Sequence, residues 1–219
     1  MSHIVYIIES PEDKDLLVGR QEASALQHAL QLAGIKCQVY LTVSPQCFVL
    51  ALQKIALDSA QELKPIIHLS AHGTKEGICL TNGTLYPWAV LRKVFTKVNE
   101  ALGGALLLCM STCSGYSAKA MIADEAKEPA FHTLVGSKED VAWSTALVAF
   151  VTFYHLVISC EIEPEEAVPT MNLAAGLPEK TFRVTTSAKQ KEFYQKRAHD
   201  KAKVEALIKY LDSLENEKN

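Results

Sequence analysis

The sequence predicts an α/β protein, a three-layer α/β/α sandwich whose mostly parallel central sheet is covered by helices on both faces. Three observations predict it. Short apolar runs at residues 3–8, 65–71 and 105–110 have the length of strands buried on both sides. Segments with a helical apolar period separate them. Strand and helix signals alternate along most of the chain, the pattern of crossover connections between parallel strands.

In chain order, residues 3–8 read as the first strand, followed by a polar loop. A helix over about 21–33 places Leu26, Ala29, Leu30 and Ala33 on one face, and Gly34 stops it. Ile35, Cys37, Val39, Leu41 and Val43 alternate with polar residues, as in a half-buried strand. Ser44-Pro45 reads as an N-cap with Pro at the first helical position, opening a helix to about residue 63. The strand at 65–71 precedes a hairpin over 77–85, signalled by Asn82-Gly83. A helix over about 87–102 carries Trp88, Leu91 and Phe95 on one face and ends at Gly103-Gly104. The strand at 105–110 leads to a helix from about Ser117, a strand at 131–135 and an uncharged helix at 142–158. A helix at 165–175 should be shortened or kinked by Pro169. A last strand is expected at 181–185. Residues 1–187 are read as the principal domain. Residues 188–219 are read as a charged amphipathic helix with Phe193, Val204, Leu207, Ile208 and Leu211 as its stripe, packed on that domain or docking a partner.

The chain has 219 residues, of which 48% are hydrophobic, ample for a sizeable core, and a formal net charge of -3. That balance gives no reason to expect nucleic acid or an anionic membrane as partner. The 20 residues from 141 to 160 contain no Asp, Glu, Lys or Arg, about a bilayer's length. They hold Ser144, Thr145, Thr152, Tyr154, His155 and Ser159, which fits a helix buried in a soluble core better than a membrane span. The N-terminus has no basic start and reads as a strand instead of a signal peptide. Six scattered cysteines with no CxxC pair imply free thiols and a reducing cytoplasm.

Two loops carry the chemistry. One is HLSAHGTKEGI from residue 68, and the other is LLLCMSTCSGYSAKA from residue 106. Each begins where a buried strand ends, and sites of open α/β sheets gather at the carboxyl ends of strands. His72-Gly73 and Cys113-Ser114-Gly115 therefore meet if their strands are neighbours. A thiol attacks as thiolate, and an imidazole can accept its proton or protonate a leaving amine. Backbone N–H groups at a helix start after Cys113 would favour the thiolate, and Gly73 would let its own N–H approach a developing oxyanion. The bland reading makes Cys113 a small residue closing a strand and His72 a hydrogen-bonded loop histidine. His68 and His72 stand about 13 Å apart along a strand and cannot share a metal. No metal or cofactor is expected.

An apolar strand with Ser-x-His-Gly, then 41 positions from His72 to Cys113, then an apolar strand with Cys-x-Gly, resembles the caspase-like cysteine peptidases. The CHAT branch is the most similar beyond the cysteine, in LVGSKEDVAW from residue 134, AFVTFYHLV from 149 and EEAVPTMNLAA from 165. The Cys-Ser-Gly loop departs from the Cys-Glu-Thr-Gly common in that branch. The resemblance covers about residues 4–175. It implies Cys113 as nucleophile, His72 as base, Gly73 as oxyanion donor and Trp143 as part of a substrate pocket. Asp140 and Glu139, beside the expected cleft, could select a basic side chain before the scissile bond, or be a solvated loop pair. The reading is a cytoplasmic, prokaryotic endopeptidase acting on protein in stress, defence or signalling. It would stay latent until an activating protein partner or cleavage orders the loops around Glu76 and Asp140. The alternative is a caspase-like scaffold or sensor that no longer cuts. A faint similarity of residues 6–17 to TIR domains leaves both loops unexplained.

Overall fold

A computed structural model describes residues 3–58, 64–122 and 128–198. Eight strands form the sheet: β1 (His3–Ser10), β2 (Lys36–Leu41), β3 (Lys64–Gly73), β4 (Gly77–Cys79), β5 (Leu85–Pro87), β6 (Leu107–Ser111), β7 (Thr133–Ser137) and β8 (Phe182–Thr186). The main order is β2-β1-β3-β6-β7-β8, with the β4–β5 hairpin extending the end of β3. The strands from β2 to β7 on this path are parallel, and β8 closes the edge antiparallel to β7.

The helices are α1 (Asp13–Leu17), α2 (Glu22–Leu32), α3 (Pro45–Asp58), α4 (Trp88–Ala101), α5 (Trp143–Tyr154) and α6 (Pro164–Ala174). On one face of the sheet, Phe48, Leu52, Trp88, Leu91 and Phe95 of α3 and α4 pack against Ile67, Leu69 and Leu108. On the other, Leu26 and Leu30 of α2, Phe150 and Phe153 of α5 and Met171 of α6 pack against Val5, Ile7 and Val135. The protein is thus a three-layer α/β/α sandwich with two apolar cores. Burying each such side chain contributes about 1.5–3 kcal/mol.

Local signals explain most element ends. Ser44 caps α3, its Oγ accepting from the N–H of Cys47 at 3.3 Å. The turn of the β4–β5 hairpin is closed by Gly83 N–H to Leu80 O at 2.8 Å, with Gly83 at φ 76°, which an L side chain rarely adopts.

Several expectations need correction. The polar stretch after β1 contains α1, a five-residue helix too short to leave a periodic signal. β2 is an edge strand that ends at Leu41, short of Val43, and the expected half-buried residues Leu41 and Val43 are both exposed. The regular helix expected after Cys113 is a 3₁₀ segment, Gly115–Met121. Pro169 neither shortens nor interrupts α6, because Ala167, Val168 and Met171 are held in the core. The uncharged segment forms α5, continued by a π turn at His155–Ser159. Among the described residues, no helix is long and apolar enough to cross a membrane. The end of the helix expected to reach residue 63 lies outside the described residues. The charged C-terminal segment is helical over residues 187–198. There Gln190 is buried and Tyr194 packs on the core, whereas Phe193 is half exposed beneath Arg197. The expected stripe at Val204, Leu207, Ile208 and Leu211 lies outside the described residues.

A buried carboxylate sits where β1 meets α2. Glu9 Oε1 accepts the Glu22 N–H at 2.7 Å, and Oε2 has no partner. Burial, with the neighbouring charges of Glu22 and Asp15, raises the Glu9 carboxyl to about 7 against the opposing pull of its backbone donors. A carboxyl raised on folding is tightest in its neutral form. Its contribution is therefore full below about 4.5 and is lost as pH rises through about 7, a change of about 3 kcal/mol from the two end values. Glu9→Gln should flatten that part of the profile. Urea unfolding at a series of pH values checks it, and an unchanged slope between the end values refutes the assignment.

Candidate functional site

The site lies at the carboxyl end of the parallel sheet. β3 and β6 are paired neighbours with Ser70 opposite Ser111. His72 follows the first serine by two residues and Cys113 follows the second by two. Both catalytic candidates line one cleft of about 240 Å³, with Lys14, Asp15, Arg20, Thr112, Val141 and Trp143 among the other walls.

Gly73 is what lets the two tips lie together. A Cβ there would overlap the carbonyl oxygen of Cys113 and sit 2.8 Å from Thr112 Cβ. The chain then turns sharply after Cys113: Ser114 adopts φ 53°, uncommon for a non-glycine residue. The Ser114 N–H is directed to Glu139 O at 3.4 Å and that of Gly115 to Thr112 O at 3.0 Å. Those two donors are thus engaged within the loop. The tight turn, and not a regular helix N-terminus, surrounds the sulfur.

Burial pushes the Cys113 thiol up, and the adjoining Asp140 carboxylate pushes the same way. The N–H groups of Val141 and of Cys113 itself pull it down without compensating. The surroundings of Cys113 therefore disfavour its thiolate on balance, where backbone donors were expected to favour it. Cys109, fully buried on β6 beneath it, is pushed up to about 12 by burial and is chemically inert at neutral pH. All six cysteines are free.

His72 Nε2 lies 3.1 Å from Glu12 Oε1, at an angle that makes no hydrogen bond, so this shielded nitrogen has no such partner. The His72 ring packs on Trp143 at 5.8 Å between centroids, and the Arg20 guanidinium covers the same indole at 5.9 Å. Trp143 therefore walls the cleft beside the imidazole. Asp140 adjoins the sulfur. Glu139 is exposed and contributes its carbonyl, which accepts from Ser114 N–H and Ser137 Oγ.

Glu12, Asp15 and Arg20 were legible only as members of a polar loop. One ligand atom each from Glu12, Asp15 and His72 lies within 4.8 Å of the others. These are the residues that could hold a divalent cation, but Lys14 already pairs with Glu12, and Arg20 approaches Asp15 at 3.8 Å. A cation would have to displace both.

Beneath the tips is a second feature the sequence did not announce. The Glu22 side chain, fully buried at the start of α2, accepts from Ser70 Oγ at 2.6 Å and from Ser111 Oγ at 2.8 Å. One carboxylate thus ties together the two strands that carry His72 and Cys113. His68 stands beside it, with Nε2 at 3.6 Å from Glu22 Oε1 and Nδ1 at 2.9 Å from Tyr154 Oη. Burial holds the Tyr154 phenol well above its usual range, so it stays neutral.

Fold and cleft together define an α/β protein with an imidazole and a thiol facing one opening at the strand tips. No protein-family model matches the chain, and no curated protein matches it either.

Proposed function

We propose that the chain is a caspase-like cysteine endopeptidase, similar to the CHAT branch, with Cys113 as nucleophile and His72 as general base and acid. The observation that supports this most is the shared cleft. Two loops far apart in sequence bring an imidazole and a thiol to adjacent strand tips. In the proposed reaction Cys113 Sγ passes its proton to His72 and attacks the peptide carbonyl carbon. The N–H groups of Cys113 and Gly73 receive the oxyanion. His72 then protonates the leaving amine as the C–N bond breaks. Water, deprotonated by His72, hydrolyses the thioester and returns the thiol. Glu12, close to Nε2, would stabilise the imidazolium as it forms.

The raised thiol fits an enzyme at rest. A basic side chain docked against Asp140 would remove the charge that opposes thiolate formation, coupling selection of that residue to activation. Trp143 would form a wall for the same side chain, and Glu139 would add negative charge at its rim. Activation by a protein partner or by cleavage acts, in this reading, on the loops around Glu76 and Asp140. Six free thiols suit a reducing, cytoplasmic compartment. A prokaryotic stress, defence or signalling role rests on the resemblance alone.

The same raised thiol, and the engaged Ser114 N–H, favour a second reading: a module that keeps the fold and no longer cuts. A pool of short peptides ending in an acyloxymethyl ketone separates the two. The enzyme is expected to form an adduct at Cys113, mapped by mass spectrometry, that is lost in His72→Ala. Adducts spread over Cys37, Cys47, Cys79 and Cys160, or independent of His72, would favour the inactive module.

A further inference from the structure

A second cavity, of about 270 Å³, opens on the other side of the Cys113-Ser114 turn. It is lined by Lys75, Ser114, Tyr116, Ser117, Lys119, Lys138 and Arg183. Four cationic side chains converge there from four segments: the β3–β4 loop, the 3₁₀ segment, the end of β7 and β8. Among the described residues, no acidic one lines the cavity and none of the four cations forms an ion pair.

The fold builds this convergence. Gly136 of β7 has no Cβ, and one placed there would lie 2.7 Å from both Gly115 C and Tyr116 N. The turn after Cys113 can therefore rest directly on β7, which brings Lys119 toward Lys138. Arg183 stands opposite Gly136 in the β7–β8 register. Its Nε donates to Lys180 O at 3.1 Å, which leaves the terminal amino groups for a ligand. Lys119 Nζ lies 5.0 Å over the Tyr116 ring. Like charges gathered this closely repel one another, and an anion relieves that repulsion while accepting from the lysines, the guanidinium and the two serine hydroxyls.

The cavity adjoins the cleft along the chain itself. Cys113 lines one and Ser114 the other, while His72 lines the first and Lys75, three residues on, the second. An extended peptide advances about 3.3 Å per residue, so a chain whose carbonyl sits at Cys113 reaches this cavity within about three residues.

We propose that this basic cavity binds an anionic side chain of the polypeptide substrate, within about three residues of the cut bond and on the side away from Trp143. The inference rests on the peptidase reading for its substrate and deepens it. Aspartate or glutamate and a phosphorylated residue share the chemistry, and the test separates them.

Peptides carrying Glu, phosphoserine, Ala or Lys at each position around the cut bond are the first arm. An anionic residue should be cut about tenfold or more faster than Lys at one or two adjacent positions on one side. Lys75→Glu combined with Lys138→Glu should reverse that order. Phosphoserine well above Glu would identify a phosphorylated substrate, and parity an acidic one. Equal rates for Glu and Lys everywhere, or a preference that survives the charge reversal, overturn the proposal. The second arm needs no cleavage. Fluorescein-labelled peptides of alternating Glu and Ala are titrated against the Cys113→Ala protein by anisotropy. Binding should weaken about tenfold or more on adding the two reversals, and with rising salt. Unaltered binding overturns the proposal. Binding that depends on the cations, in a protein whose native form neither cuts these peptides nor forms the His72-dependent adduct at Cys113, leaves the cavity assigned and removes the peptidase.

Discussion

Cys113→Ala is expected to lower the proposed peptide cleavage by at least about a thousandfold, because among the described residues Cys113 is the one thiol that lines the cleft. The cleft walls around the sulfur are Lys14, Asp15, Arg20, His72 and Trp143, and the remaining hydroxyls, Ser111 and Thr112, are buried in the strand end. Water activated by His72 alone would lack covalent capture. The fold should hardly notice the change. Cys113 is only partly buried, and Ala suits the same backbone, so stability should move by less than about 1 kcal/mol. The Gly73 contact that seats the turn involves the backbone oxygen of residue 113 and survives the substitution. Turnover on a peptide library, measured beside urea unfolding, checks both halves. Cleavage at the native rate by the variant would refute the assignment.

Glu22→Ala should cost about 3–5 kcal/mol of stability, a large loss for a single substitution. The carboxylate is fully buried and accepts from two serine hydroxyls, Ser70 on β3 and Ser111 on β6. Removing it strands both hydroxyls in the core and leaves a void beside His68, whose Nε2 has no hydrogen-bond partner even in the native protein. Glu22→Gln keeps the volume and one acceptor, so it should lose clearly less. The substitution also loosens the tie between the strands that present His72 and Cys113, so adduct formation at Cys113 should slow under conditions where the variant remains folded. Equilibrium denaturation orders the three proteins. A loss below about 1 kcal/mol for the Ala variant would mean that water replaces the carboxylate without penalty.

The buried strands were readable because strands packed on both faces are nearly continuous apolar runs, as residues 4–8 and 105–110 are. The helices of both layers were readable from their apolar period. α1 was not, since DKDLL is shorter than one and a half helical turns. Neither was the 3₁₀ geometry after Cys113, which arises from Gly115 and Gly136 packing backbone against backbone across a strand boundary. Glu22 looks like an ordinary first-turn acid of an exposed helix end. Only the arrival of Ser70 and Ser111 from two other strands gives its carboxyl group buried partners. Glu12, and the cations at 75, 119, 138 and 183, likewise carry no local signal until the chain folds.

Apolar periodicity and turn chemistry are local properties, and they were enough to read the three layers and the two loops that carry His72 and Cys113. Tertiary structure alone decided that these loops share one cleft, that Asp140 opposes ionisation of the thiol and that four cations ring a neighbouring cavity. The physical reason is that electrostatic environment depends on through-space distance and burial, and residues from separate segments acquire both only when the sheet assembles.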